Sequence, residues 1–340
     1  SAGARTQPTE YEIDLILNEV RHTYGVTFDS KRVLEEWAYT YPHGRAALLF
    51  HREGDAVSLG SAGRQRGRAT IDILRPNALF LSTAAATNHP ALVSLFGWFT
   101  RNLWLADVDT RSARQAFTAL LLERPDSKDR VLQLLREADL GITGAIRREV
   151  DDPAVRNRIA HQINVLEGSE ENAEPEGSQL QFADFEVRLR HQAAEGEVEL
   201  SPEDESLGTL IWFGLAGPVL DALENGAVLL ADELDASLHP ALVQVLVQLF
   251  QSERSNPNRA QLIFNSHDIT LMESKILGRD QIWFTEKRPG GDSYLYPLTD
   301  WNPRKGEAVP RRYLAGRYGA TPLLSRSQLE RIAEPSGSGE

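Results

Sequence analysis

The chain has 340 residues, a formal net charge of −13 and no cysteine. Its length allows a sizeable buried core and more than one domain. The acidic balance argues against broad non-specific binding of nucleic acid, and the lack of cysteine excludes disulfides, thiolate metal sites and thiol nucleophiles. The sequence shows neither a secretory signal peptide nor an apolar run of the length that crosses a membrane, so we expect a cytoplasmic protein.

The first 60 residues predict mostly β-structure. Residues 10–29 alternate between apolar and polar side chains around a turn-prone pair, which predicts a β-hairpin. Residues 29–42 predict a short helix with Asp29 or Ser30 as its N-cap. Residues 45–60 predict a second hairpin, and we therefore expect an antiparallel sheet in this front section.

The middle of the chain changes to helical spacing. Residues 75–105 begin with a turn and an apolar strand and continue with a helix over 91–103. Residues 112–139 are helical in pattern, and Pro125 divides them into two helices. Residues 167–180 are acidic and almost free of apolar side chains, which predicts a flexible linker.

The second half of the chain combines hairpins with a βαβ unit. Two apolar strands separated by a helix indicate a parallel pair of strands. In order, we predict a strand or hairpin over 182–200, a helix over 208–224, a strand over 227–231, a helix over 239–253, a strand over 260–264 and a hairpin over 281–298.

The stretch AVLLADELDASLHP, residues 227–240, carries the strongest chemical signal. In α/β sheets, ligands bind at the carboxyl ends of parallel strands. A first carboxylate there can hold Mg²⁺ beside nucleotide phosphates, and a second can polarise a water molecule for attack on the γ-phosphate. This assigns Asp232 to the metal and Glu233 to the general base. The alternative is an exposed strand end with two solvated acids.

Two further motifs lie on either side of this strand. His267 follows the next strand, in the stretch NSHD, where it could reach the γ-phosphate and the attacking water. The alternative is an ordinary loop histidine. Upstream, Ser206 and Gly208 precede an apolar helix whose free N–H groups and dipole could bind an anion. The alternative there is simple helix capping by Ser206 or Thr209.

The ordered motifs ESLGT, VLLADELDASLHP and LIFNSHD resemble those of ABC-class ATPases of the SMC/RecF type. The chain looks most like the AAA-type ATPases of bacterial phage-defence operons, the RloA-like and abortive-infection group. The resemblance covers most of the chain and is weakest over 107–180. It implies an α/β fold: an ABC-type, P-loop NTPase-like ATPase head with an antiparallel β front section and a helical insertion.

The resemblance also implies roles for individual residues and partners. ATP and Mg²⁺ are the implied cofactors. A head-to-head homodimer is implied, together with an effector protein, a nuclease or toxin, encoded nearby; a nucleic-acid partner is only weakly supported. The matching positions are Asp232 for the Walker B aspartate, Glu233 for the catalytic glutamate, Asp235 for the D-loop, His267 for the switch histidine, and Ser206 and Gly208 for the signature motif.

One expected element is missing from the sequence. A phosphate-binding P-loop needs G-x-x-x-x-G-K-[ST], and none of the five lysines follows a glycine. The most glycine-rich stretch, residues 58–68, carries arginine instead. Members of the group carry the P-loop nearer the N-terminus, so we expect an N-terminally truncated ATPase that is inactive alone. Residues 82–90, the expected place of a Q-loop glutamine, contain no glutamine.

The functional alternatives follow from that gap. The first is the ATPase subunit of an anti-phage system, acting as a nucleotide-dependent dimeric switch for the effector. The second is a non-catalytic module that dimerises or docks on a partner. A nuclease with a Toprim domain is a third, but the stretch after His267 is too short for one. The expected divisions are 1–106, the β-rich part of the head; 107–180, the helical insertion and linker; 181–332, the C-terminal lobe; and 333–340, a disordered tail.

Overall fold

The computed structural model describes residues 7–61, 67–138, 141–149, 185–273, 276–288, 290–304 and 306–321. The chain divides into two compact units, one formed by Thr6–His267 and a smaller one that contains Asp268–Glu340. The predicted linker at 167–180 and the predicted tail at 333–340 lie outside the described residues. The domain limits expected from the sequence stay predictions.

The front of the larger unit is an antiparallel sheet whose strands follow one another in chain order. Asn18 and Glu19 form the first turn with φ of 51° and 63°, the left-handed conformation that a two-residue hairpin turn requires. The predicted hairpins and the antiparallel front section are thus confirmed. The strands are β1 Thr9–Leu17, β2 Val20–Phe28, β3 Val33–Thr40, β4 Ala47–Glu53 and β5 Ala56–Leu59.

The helix predicted over 29–42 is wrong, because β3 occupies this segment and pairs with β2 and β4. Asp29 does accept hydrogen bonds from the N–H groups of Lys31 and Arg32, at 2.7 and 2.9 Å, as a helix cap would. These bonds close a tight turn that leads into a strand. Burial of Ala38 against the helices behind the sheet then favours the extended form.

The strand predicted near residue 80 is also wrong, because helix α2 forms there over Phe80–Ala86, after helix α1 at Gly67–Asp72. The buried carboxylate of Glu36, on β3, accepts the first two helical N–H groups, from Phe80 at 2.5 Å and Leu81 at 2.9 Å. Arg52, equally buried, lies 3.8 Å from the same carboxylate. A charge that is distant in sequence therefore caps this helix, and no local pattern announces it.

The middle section contains the predicted helices and two strands that were not predicted, β6 at Leu103–Ala106 and β7 at Ile142–Glu149. Helix α4, Arg111–Glu123, packs against the long helix α6, Leu207–Asn225, of the C-terminal part. Strand β7 lies inside the section expected to be helical and forms an antiparallel sheet with β8 and β9. The elements are α3 Val93–Arg101, β6 Leu103–Ala106, α4 Arg111–Glu123, α5 Pro125–Arg136, β7 Ile142–Glu149, β8 Phe185–Ala193, β9 Gly196–Leu200 and α6 Leu207–Asn225.

A small parallel sheet forms the centre of the C-terminal part of this unit. Its strand order is β11-β10-β6, with β10 at Val228–Ala231 and β11 at Gln261–Phe264, joined by helix α7 at Pro240–Gln251. This confirms the predicted βαβ unit. Helix α6 is long and apolar enough to cross a bilayer, and it is the one such helix in the described part of the chain; most of it is buried inside the protein.

The smaller unit contains the predicted C-terminal hairpin, strands β12 at Trp283–Lys287 and β13 at Ser293–Pro297. Helices α8, Thr270–Glu273, and α9, Val309–Leu314, belong to the same unit. One face of the hairpin packs into an aromatic cluster that holds the unit together. The buried members of the cluster are Phe284, Tyr296, Leu298, Val309 and Tyr318.

Candidate functional site

Three polar residues follow the three parallel strands at one edge of the sheet. Asp107 comes after β6, Asp232 after β10 and Asn265 after β11. The ladder continues past the strand ends, since the Asp232 N–H donates to the Ala106 carbonyl at 2.9 Å and the Asn265 N–H donates to the Ala231 carbonyl at 3.2 Å. This is the edge of a parallel sheet at which ligands bind.

The Asn265 side chain connects the two adjacent acids. Its Nδ2 donates to Asp232 Oδ1 at 2.5 Å, and its Oδ1 accepts the backbone N–H of Glu233, also at 2.5 Å. Glu233 has a φ of 51°, which is uncommon for a residue other than glycine and turns the chain sharply after the strand. Both acids are exposed, so their carboxylates are open to solvent or a ligand.

A second set of bonds connects the loop after the acids to the loop after β11. The backbone N–H of His267 donates to both carboxylate oxygens of Asp235, each at 3.2 Å. The Leu234 N–H donates to the Asn265 carbonyl at 3.1 Å. The His267 imidazole is exposed. Asp235 therefore fixes the backbone that carries the histidine and leaves the ring accessible.

Ser206 and Gly208 lie at the start of α6. Ser206 is its N-cap, with Oγ accepting the Thr209 N–H at 3.1 Å, so the capping alternative describes its contacts in this structure. Gly208 lies against the loop that follows Glu233: a Cβ at this position would be only 2.7 Å from the Ser237 carbonyl oxygen. A side chain at 208 would push this loop away, and the glycine permits the close approach.

A small cleft, about 50 Å³ in volume, lies beside the two acids. The acids line one part of it, and Asp107, Arg111 and Arg114 line another. Asp107 holds the turn between β6 and α4, since its Oδ1 accepts the Thr110 N–H at 2.7 Å. Both carboxylate and guanidinium groups thus border one space.

Arg114 is the most deeply buried charge of this cleft, with 5% of its surface exposed. Its Nη2 donates to the Asp107 carbonyl at 2.7 Å and its Nε to Thr110 Oγ1 at 3.3 Å. Burial lowers the pKa of the Arg114 guanidinium to about 10, with Asp107 opposing and Arg111 adding to the effect. The side chain stays charged at neutral pH, at a cost in free energy.

The donor set at the strand ends fits Mg²⁺ held in part by a ligand. Among the described residues no three acidic or histidine side chains converge on one point. Mg²⁺ bound beside phosphates uses one or two carboxylates, with phosphate oxygens and waters filling the other positions. Asp232, exposed at the end of β10 and oriented by Asn265, matches that requirement.

Residues 2–273 match the protein family described as "AAA domain, putative AbiEii toxin, Type IV TA system". The chain belongs to this family. The AAA domain has the α/β fold of an ABC-type, P-loop NTPase-like ATPase head, as the resemblance implied, and membership indicates nucleotide and Mg²⁺ as its ligands. No curated protein matches the sequence.

Solved structures with similarity to the chain include the SmcHead bound to the C-winged helix domain of ScpA. The two chains share 15% sequence identity with a TM-score of 0.41. The match covers 87% of this chain and 76% of that chain.

The structure brings most of the predicted site residues of this AAA domain to one edge. Asp232, Glu233, Asp235 and His267 lie on two connected loops, and Gly208 packs against the first of them. Their roles in catalysis and binding stay predictions. Residues 82–90, the expected place of a Q-loop glutamine, belong to α2 and the turn after it. The strand that pairs with β10 on this side is β6, which ends at Ala106 and is followed by Asp107.

Two residues of the edge were missed by sequence reasoning. Asn265 is the first residue of the stretch NSHD and directly follows an apolar strand. This position after a strand could have indicated that it belongs to the site. Arg114 lies at the fourth position of α4 and carries no motif. Its burial depends on α6, which is distant in the chain, so no local pattern could have found it.

Proposed function

We propose that this chain is the ATP-binding and hydrolysing subunit of an RloA-like, abortive-infection type defence system in the bacterial cytoplasm. The observation that carries the proposal is the edge of the parallel sheet, where adjacent carboxylates, an orienting amide and an exposed histidine follow neighbouring strands. Membership of the AAA family supports nucleotide as the ligand of that edge.

Each residue at the sheet edge has a separate role in the proposed hydrolysis. Asp232 holds Mg²⁺, and Asn265 fixes the orientation of its carboxylate. When bound, Mg²⁺ neutralises charge on the phosphates during transfer. Glu233 accepts the proton of the attacking water, since its carboxylate is exposed beside the metal ligand. The ring of His267 donates a hydrogen bond to the γ-phosphate, and Asp235 keeps its backbone in place.

The phosphate-binding loop comes, in this proposal, from outside these 340 residues. The sequence lacks G-x-x-x-x-G-K-[ST]. Strand β11 lies at the end of the sheet, and no strand pairs with its outer side among the described residues. Ile263 at this edge is 57% exposed. An additional strand could pair here and place a glycine-rich loop beside Asp232.

The active form is a dimer of heads, with nucleotide between them. In this arrangement Ser206 and Gly208 contact the γ-phosphate bound by the partner head, and the loop at Asp235 contacts the partner chain. The proposal is supported by the position of α6, whose N-terminus is close to the Ser237 carbonyl. Nucleotide-dependent closure would then control an effector, a nuclease or toxin.

The second candidate is a non-catalytic module that dimerises or docks on a partner without hydrolysis. The missing P-loop motif favours it, because the lysine and the glycine-rich backbone provide most of the affinity for phosphates. The two candidates differ in whether Glu233 matters for turnover.

The test is Mg²⁺-dependent ATP binding and hydrolysis by the chain, alone and with a phosphate-loop segment supplied from another member of the family. Glu233→Gln should lower kcat by about a hundredfold or more while ATP binding persists. Glu253→Gln, at an exposed position after α7, is the matched control and should leave turnover unchanged. Turnover that does not respond to Glu233→Gln would reject the proposed base, and binding without any turnover would favour the second candidate.

A further inference from the structure

The cleft beside Asp232 has a positively charged wall that the proposed function leaves unused. Arg111 and Arg114 both come from the first turn of α4, and both line the cleft with Asp232 and Glu233. The first turn of α4 contains no acidic residue. A helix N-terminus with two arginines in its first turn is an environment for an anion.

Arg114 differs from a buried arginine that serves structure alone. Arg52, with 1% exposure, uses Nε and both terminal nitrogens on backbone carbonyls and has Glu36 within 3.8 Å. Arg114 is nearly as buried, but no carboxylate of the described residues lies within 4.0 Å of it. Its Nη1 has no hydrogen-bond partner among these residues either.

An unpaired buried cation is costly, so its retention needs a compensating partner. Burial lowers the pKa of the Arg114 guanidinium, and the charge of Asp107 opposes this shift only in part. Asp107 also borders the cleft and attracts the guanidinium, but its Oδ1 accepts the Thr110 N–H and it forms no ion pair with Arg114. An anion in the cleft would give Arg114 the direct charge contact that the described residues do not supply.

We propose that Arg111 and Arg114 bind a phosphate group in this cleft, which the carboxylates of Asp232 and Glu233 also line. This inference rests on the proposed nucleotide site and names the residues that hold its phosphate end. The arginines would contact phosphate oxygens with charge-assisted hydrogen bonds, and Asp232 would hold the Mg²⁺ that neutralises charge on the phosphate. The arrangement supplies from α4 part of the positive charge that a P-loop lysine otherwise contributes.

The experiment measures binding of inorganic phosphate by calorimetry, with and without Mg²⁺, using the full chain. We expect Arg114→Met to weaken phosphate binding about tenfold or more, because it removes the charge and keeps most of the side-chain volume. Arg114→Lys should give an intermediate affinity, since it keeps the charge and loses the planar fork. Arg254→Met, at an exposed position after α7, is the matched control and should bind as the wild type does.

Thermal melting of the same variants separates anion binding from a structural role. A structural role alone would lower the melting temperature of Arg114→Met and leave its phosphate affinity unchanged, which would overturn the inference. Failure of the wild-type chain to bind phosphate would also overturn it. If Arg114→Met does not fold, Arg111→Met, at a partly buried position, carries the same prediction. Because no hydrolysis is measured, phosphate binding that depends on Arg114 would stand even if Glu233 proved unimportant for turnover.

Discussion

Replacement of Asn265 tests how the acid pair is held. Its amide makes one hydrogen bond to the Asp232 carboxylate and one to the Glu233 backbone, both at 2.5 Å. A bond to a charged group contributes about 1.5–3 kcal/mol and a bond to a neutral group about 0.5–1.5 kcal/mol. Because both residues are exposed, the lower ends apply, and Asn265→Ala should lower the free energy of unfolding by about 2 kcal/mol.

Asn265→Asp is closer in shape and should nevertheless be at least as destabilising. It keeps an acceptor for the Glu233 N–H, but it loses the donor to Asp232, about 1.5 kcal/mol. It also places a second negative charge beside Asp232, which adds about 1 kcal/mol in a solvated site. The added carboxylate is a ligand for Mg²⁺, so Mg²⁺ should restore stability to Asn265→Asp and not to Asn265→Ala.

Urea denaturation with and without Mg²⁺ measures these differences, and hydrogen exchange at the Glu233 amide reports the local bond. The matched control is Asn225→Ala, which removes a 3.0 Å bond to Asp221 on the exposed end of α6 and should cost less than about 1 kcal/mol. Wild-type stability in Asn265→Asp without Mg²⁺, together with unchanged exchange at Glu233 in Asn265→Ala, would refute the reasoning.

Two further predictions concern the front sheet. Glu36→Gln should lower the free energy of unfolding by about 3–5 kcal/mol in urea denaturation, because it leaves Arg52 buried without a counter-ion; Glu35→Gln, half exposed on the same strand, should cost less than about 1 kcal/mol. The hydrogen bond from Arg21 is the largest cause of the lowered pKa of Asp14 in the folded protein. The bond therefore stabilises the fold above the usual aspartate pKa, and its contribution is lost as the pH falls through the lowered pKa of the folded protein. Arg21→Gln should therefore reduce the acid-induced fall in stability, measured by melting below about pH 4, and an unchanged acid profile would contradict the assignment.

Local patterns predicted the elements whose cause is local. The turn at Asn18 and Glu19, the division of two helices at Pro125 and the end of α6 at Gly226 each depend on a few neighbouring residues. The errors have distant causes. Helix α2 was predicted as a strand because its cap, Glu36, is supplied by a different part of the chain.

In the candidate site, too, the sequence predicted the features with local causes and missed those that depend on distant residues. The apolar strand before Asp232 and Glu233 is a local pattern, and it correctly indicated a strand end in a parallel sheet. The orientation of the acids depends on Asn265, which follows the next strand after an intervening helix. The periodicity of apolar residues does not predict this contact. Burial of Arg114 likewise depends on packing between α4 and α6, where its Nη1 lies 3.8 Å from the position of a Cβ at Gly214.

Three features of the sheet edge are each unfavourable for stability alone. Glu233 has a φ of 51°. Among the described residues, no carboxylate lies within 4.0 Å of the buried Arg114, and no strand pairs with the outer side of β11, where Ile263 is exposed. A left-handed conformation outside glycine costs about 1–3 kcal/mol, and an unpaired buried charge costs several kcal/mol more. Strain of this kind collects at sites where binding recovers the free energy. The strained turn at Glu233 and the buried Arg114 both border one cleft, so these two costs occur where the proposed nucleotide would bind.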